Sequence, residues 1–181
     1  MKILLIIPLF LFTIPLAADN KQKLFNLYQQ GDYLKACDLG LKGLNHFKAD
    51  ENYVSLYAFS CLKADSIDRL SVPITLLHQT KESRANASYF SLILMQKKLL
   101  MQALYDNKPI TNLTFPTSSY LLSKLFDCYL KDPQPNRLIK EYTDSADTRL
   151  SYKLYTTVSN GRKSIAIDEY YDKILTFHHV Y

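Results

Sequence analysis

The stretch LFNLYQQGDYLKACDLGLKGL, Leu24 to Leu44, holds two amphipathic runs on either side of one turn. Leu24, Phe25, Leu27 and Tyr28 form an apolar stripe that stops at Gly31-Asp32, and Tyr33, Ala36, Leu39, Leu41 and Leu44 resume one. That spacing predicts a helical hairpin. Gly31 stands where the chain leaves the first helix, because glycine enters the left-handed region without a steric penalty.

Leu24, Leu27, Gly31, Tyr33 and Ala36 are each followed 34 residues later by Ala58, Cys61, Asp65, Ile67 and Leu70. A period of that length is the length of one tetratricopeptide unit. With Gly31 as turn glycine, Tyr33 as the aromatic beyond it, and Ala36 and Gly43 as small residues of the second helix, Leu24–Leu44 resembles a tetratricopeptide repeat. The unit from about Glu51 to Lys81 keeps Ala58 but has Asp65 and Ile67 in the turn, a degenerate copy. A third step lands on Leu92, Met95 and Leu99, inside a run from Ala85 to Tyr105 without a turn signal, so that unit is one long helix or has drifted out of phase. The resemblance implies a concave face lined by first helices that binds an extended peptide or a helix. Carried onto this chain, its members are Phe25, Tyr28, Gln29, Phe59, Lys63, Tyr89 and Lys97.

Outward from these units the spacing predicts more helices. Pro73 either follows a new helix start capped by Ser71 or kinks the second helix B. Asp106–Thr117, with Asn107, Pro109, Asn112 and Pro116, is the long irregular segment and the candidate functional loop. Ser118–Lys131 and Asn136–Tyr142, around Asp132-Pro133-Gln134-Pro135, are expected to form another hairpin. Asn160-Gly161 also fits a strand turn, but the spacing on both sides is helical, so a last pair is expected from Leu150, Leu154, Tyr155 and Val158 to a final amphipathic helix over Ile165–Phe177 that caps the array. The expected fold is therefore all-α, a single domain of stacked antiparallel helical hairpins in a solenoid.

The N-terminus gives an address. Met1-Lys2, an apolar run from Ile3 to Leu16, and Ala17-Ala18 before Asp19 have the three parts of an export signal. The run is shorter than the roughly 20 residues of a spanning helix. Cleavage after residue 18 would leave 19–181 as the mature domain, with a formal charge of +4 in place of +5. The expected location is a bacterial periplasm, with membrane contact only through an uncleaved signal. Lys and Arg are dispersed, so no basic stripe for nucleic acid is read. With 4 Gly and 14 Tyr, the composition favours helices over a glycine-dependent strand-and-turn architecture.

An oxidising location raises the question of a disulfide. Cys37 and Cys61 would lie in neighbouring helices, and either a bond between them or free buried thiols fits; Cys128 reads as core. His46, His78, His178 and His179 lack metal-ligand spacing, and His179 and Tyr181 read as a frayed tail. Asp65/Asp68 read as helix-start charges, and Asp168/Glu169/Asp172 as a solvated face. Asn86 and Asn112 begin glycosylation triplets. No nucleophile elbow or phosphate loop is present, so no catalytic residue, metal or cofactor is expected. The expected function is a non-catalytic scaffold for a peptide or protein partner. The alternatives are a structural subunit of an envelope complex, or an enzyme with a site at the Asp106–Thr117 loop.

Overall fold

Apolar spacing and Gly31 together produce the first hairpin. In the computed structural model, which describes residues 16–111, 113–159 and 161–181, α1 (Leu16–Gln29) and α2 (Tyr33–Phe47) flank Gly31 at φ +79°. Most of the segment expected to direct export, the Asn112 triplet's first residue and Asn160 of the Asn-Gly pair lie outside the described residues. Among the described residues no helix is long and apolar enough to cross a membrane. α3 (Glu51–Lys63) starts at Asp50, whose carboxylate accepts from the N–H groups of Asn52 and Tyr53. It packs closely on α2: a Cβ on Gly40 would stand 2.5 Å from Tyr57 Cδ2, and the Tyr53 hydroxyl donates to the Gly40 carbonyl at 3.1 Å. A disulfide joins Cys37 of α2 to Cys61 of α3, with Cα atoms 4.7 Å apart.

Past α3 the 34-residue register breaks. Instead of a second full helix there is a 3-10 turn, Ile67–Leu70, then the six-residue α4 (Ser71–Leu76) with Pro73 in its first turn. α5 (Lys81–Tyr105) then runs 25 residues without a turn. Thr80 and Ser83 cap it reciprocally. Glu51, the first residue of α3, accepts from the N–H groups of His78, Gln79 and Thr80 at 2.7, 2.7 and 3.1 Å, which pins the α4–α5 link to α3. Burial raises its carboxyl pKa, but those N–H donors and Ser83 outweigh it and hold the value at about 2. The irregular segment before α6 (Leu121–Lys131) is tied down, with Ile110 and Phe115 packed on the core and the Phe115 ring 5.4 Å from Phe126.

The C-terminal region overturns the all-α solenoid. β1 (Lys140–Thr143), β2 (Leu150–Ser159), β3 (Arg162–Tyr171) and β4 (Ile174–Val180) form a four-stranded antiparallel sheet in the order β1-β2-β3-β4. The fold is α+β, and the tetratricopeptide array, the last helical pair and the capping helix are corrected accordingly. The physical reason lies in the period. Leu150, Leu154, Tyr155 and Val158 fit a helical stripe, but Leu150, Tyr152, Leu154, Thr156 and Val158 also alternate at period two, in a stretch rich in β-branched and aromatic residues. Ser159 pairs with Arg162 across a two-residue loop in which Gly161 takes φ +73°, the hairpin geometry an Asn-Gly pair favours. Asn136–Tyr142, expected as a helix, supplies β1.

One face of this sheet closes the core. Tyr142, Tyr152, Leu154, Ile165, Ile167 and Tyr181 join one buried cluster with Cys61, Ile67, Phe90, Leu100 and Phe126 of the helical layer. Helices and sheet therefore share a core, and the turn after α3 meets β3 and β4 where they pack together.

Candidate functional site

The seven residues carried over for a concave groove do not converge in that way. Phe59 and Tyr89 come together, ring centroids 6.4 Å apart, but both are half-buried against the core. Tyr28 packs edge-on against Tyr33 at 5.4 Å, while Phe25, Gln29 and Lys63 are exposed. Lys97 is buried and pairs with Asp68, Nζ to Oδ2 2.7 Å. Without a solenoid there is no continuous inner face for them to line. Asn86 of the other triplet is half-buried on α5, its amide 3.3 Å from Ser55 Oγ.

The groups that do converge sit where the sheet meets the helices. His179 Nδ1 lies 2.7 Å from Asp65 Oδ2 and its Nε2 3.0 Å from Glu169 Oε1. Only an imidazolium donates from both nitrogens, so a charged ring satisfies both carboxylates at once. The Asp65 hydrogen bond raises the His179 pKa; burial opposes it, and the Asp65 charge and Glu169 add to it. The Tyr120 hydroxyl is 3.1 Å from the Leu62 carbonyl and 3.2 Å from Asp65 Oδ1, and the Tyr181 ring stacks on His179 at 5.9 Å. Asp65 holds φ +57°, which aims its carboxylate from the turn after α3 at the sheet. His179 and Tyr181 are thus built into a joint and are no frayed tail.

A second cluster lies on the sheet's other face. Asp168 receives His178 Nδ1 at 2.5 Å and the hydroxyls of Tyr155 and Tyr170 at 3.2 and 3.5 Å. These neighbours leave Asp168 only 8% exposed, so the acidic run on β3 is not a solvated face. An Asp–His pair orients an imidazole, but among the described residues no hydroxyl or thiol nucleophile is hydrogen-bonded to His178. Asp68, read as a helix-start charge, accepts from both Lys97 and Lys98 at 2.7 Å.

The cavity beside the Asp106–Thr117 loop, about 450 Å3, has Tyr129, Arg137 and Lys140 as its ionisable lining and neither a carboxylate nor a histidine. Among the described residues no group of three or more His, Cys, Asp or Glu is arranged to hold a metal ion.

The sheet's two edges differ. At β1 the Gln134 side chain mimics a neighbouring strand: its Oε1 accepts from the Glu141 N–H at 3.0 Å and its Nε2 donates to the Glu141 carbonyl at 2.8 Å. At β4 no strand lies outside among the described residues, and Ile174, Leu175 and Phe177 are 70%, 53% and 64% exposed. Tyr171, the partner of Ile174 on β3, is also partly exposed. Compared with protein-family models, with curated proteins and with solved structures, the chain matches none. The site must be read from its own chemistry.

Two signals for these groups were present in the sequence. The Asn160-Gly161 pair announces a hairpin, and the exposed apolar run ILTF, Ile174–Phe177, sits directly before the paired histidines. Neither is informative until period two is chosen for the region.

Proposed function

We propose that the protein is an exported, non-catalytic interaction module of the bacterial cell envelope that takes an extended segment of a partner protein along β4. The observation that carries this reading is the contrast between a capped β1 edge and an open, apolar β4 edge. An uncovered edge strand offers a ladder of N–H and C=O groups to a further strand, and proteins usually blunt such edges with charge, proline or a cover. β4 carries none of these along Ile174–Phe177. Side chains such as Phe177 and Ile174 would supply affinity on top of main-chain pairing. The disulfide supports the exported address, since such bonds persist in oxidising compartments. The apolar patch equally suits a permanent subunit of an envelope complex, which differs in being unstable without its partners.

A photoreactive amino acid placed at position 177 in the native host should crosslink to a discrete segment of one partner. The variant Phe177→Lys should weaken that association more than about tenfold, as expected for an aromatic anchor. Its melting temperature should stay close to wild type, because an exposed side chain is worth about 0.5 kcal/mol or less to the fold. Equal recovery of the partner by a well-folded Phe177→Lys protein would exclude β4 as the binding edge.

A further inference from the structure

A cleft of about 540 Å3 opens between the helical layer and the sheet, walled by the turn Asp65–Arg69, by Lys97, Lys98 and Met101 of α5, and by Arg162, Lys163 and Val180. Its charges do not balance. Asp68 alone serves both lysines, with Nζ atoms of Lys97 and Lys98 each 2.7 Å from one of its oxygens. Asp65 is already committed to His179, and the Arg69 guanidinium to Asp38 at 2.6 Å. Among the described residues neither Arg162 nor Lys163 makes an ion pair. The Lys163 ammonium instead lies 5.6 Å from the centre of the Tyr105 ring. Lys97, Lys98, Arg162 and Lys163 therefore line the cleft with Asp68 as the one carboxylate not committed elsewhere.

Burial sharpens that imbalance. Lys97 is 3% exposed, so its ammonium has little access to bulk water. Burial pushes its pKa down against the pull of Asp68, and the like charges of Lys98 and Arg162 push the same way. Converging cations cost free energy unless an anion joins them. The excess of three positive charges beyond Asp68 accommodates a group carrying about two negative charges, as a phosphate monoester does. The cleft falls in the size range of sites for small organic ligands, and Ile67, Met101 and Val180 offer an apolar wall for the remainder of such a molecule.

We propose that this cleft binds a phosphate-bearing ligand, with Lys98, Arg162 and Lys163 as the phosphate-binding cations and Lys97, held by Asp68, as the buried charge behind them. The phosphate monoester belongs either to a soluble molecule or to a lipid headgroup such as that of phosphatidic acid, and the binding chemistry is the same. Titration calorimetry of the full chain with inorganic phosphate and with glycerol phosphate reads the soluble source. Co-sedimentation with phosphatidic acid vesicles, against phosphatidylcholine vesicles, reads the headgroup.

Binding to at least one of these probes is expected, and Arg162→Gln with Lys163→Gln should weaken it by about tenfold or more, the loss of a charge-assisted contact. Lys131→Gln, an exposed cation on α6, should leave it unchanged. Binding to a soluble probe assigns a soluble monoester, and binding to the anionic vesicles alone assigns the headgroup. If the double variant melts early, Lys98→Gln removes charge from the opposite wall and should show the same loss. No binding to any probe, or equal binding by wild type and the folded variants, overturns the site.

Discussion

At the scale of single residues, His179 has the most to say about conditions. Its ring bridges Asp65, in the turn after α3, to Glu169 of β3, and so ties the helical layer to the sheet. Because its pKa is raised above the ordinary value of about 6.5, the bridge contributes fully below that pH and its contribution fades as pH rises through the higher folded value. The melting temperature of the wild type should therefore decline from about pH 6.5 upward relative to His179→Gln, which has no proton to lose there. Thermal melts of both proteins across neutral pH check this, and parallel curves would mean that the bridge does not titrate. None of this was legible beforehand. His179 and Asp65 are 114 positions apart, and only the packing of β4 against the α3 turn brings them together.

At the scale of elements, legibility depended on whether one period fitted a segment or two did. Leu24–Leu44 fits only the helical period and is broken by a glycine that takes φ +79°, and α1 and α2 form there. Leu150–Ser159 fits both periods, and cross-strand pairing with Arg162–Tyr171 decides the outcome. Sheet pairing is a non-local gain that no spacing inside one segment reveals. The cleft's cations were illegible for a related reason, being drawn from α5 and from the start of β3. The α2–α3 pair has a covalent tie with a sequence separation of 24. Closing a loop of that length restricts the unfolded chain by about 3 kcal/mol. Cys37→Ala with Cys61→Ala should lose roughly that much in urea unfolding at unchanged helicity, as should the reduced wild type. A loss near zero would place the close α2–α3 packing, not the bond, in control.

At the scale of the whole molecule, the buried cluster runs without a break from Cys37 in α2 to Tyr181 beside β3. Helices and sheet should then unfold as one unit. Ile167→Ala, at a fully buried position on β3, should cost about 2 to 5 kcal/mol and move the helical circular-dichroism transition together with the near-ultraviolet tyrosine signal. A helical transition that stays in place while the tyrosine signal shifts would mean the two layers unfold separately. The unequal edges of the sheet set a further limit on the molecule. With Gln134 occupying the outward Glu141 backbone groups, lateral addition has one direction open to it. A strand that docks on β4 uses up the one uncapped edge among the described residues, whether it comes from a partner or from a second copy related by a two-fold axis. Strand addition confined to β4 therefore allows a single event per chain and closes as a pair, with no lateral route to a fibre.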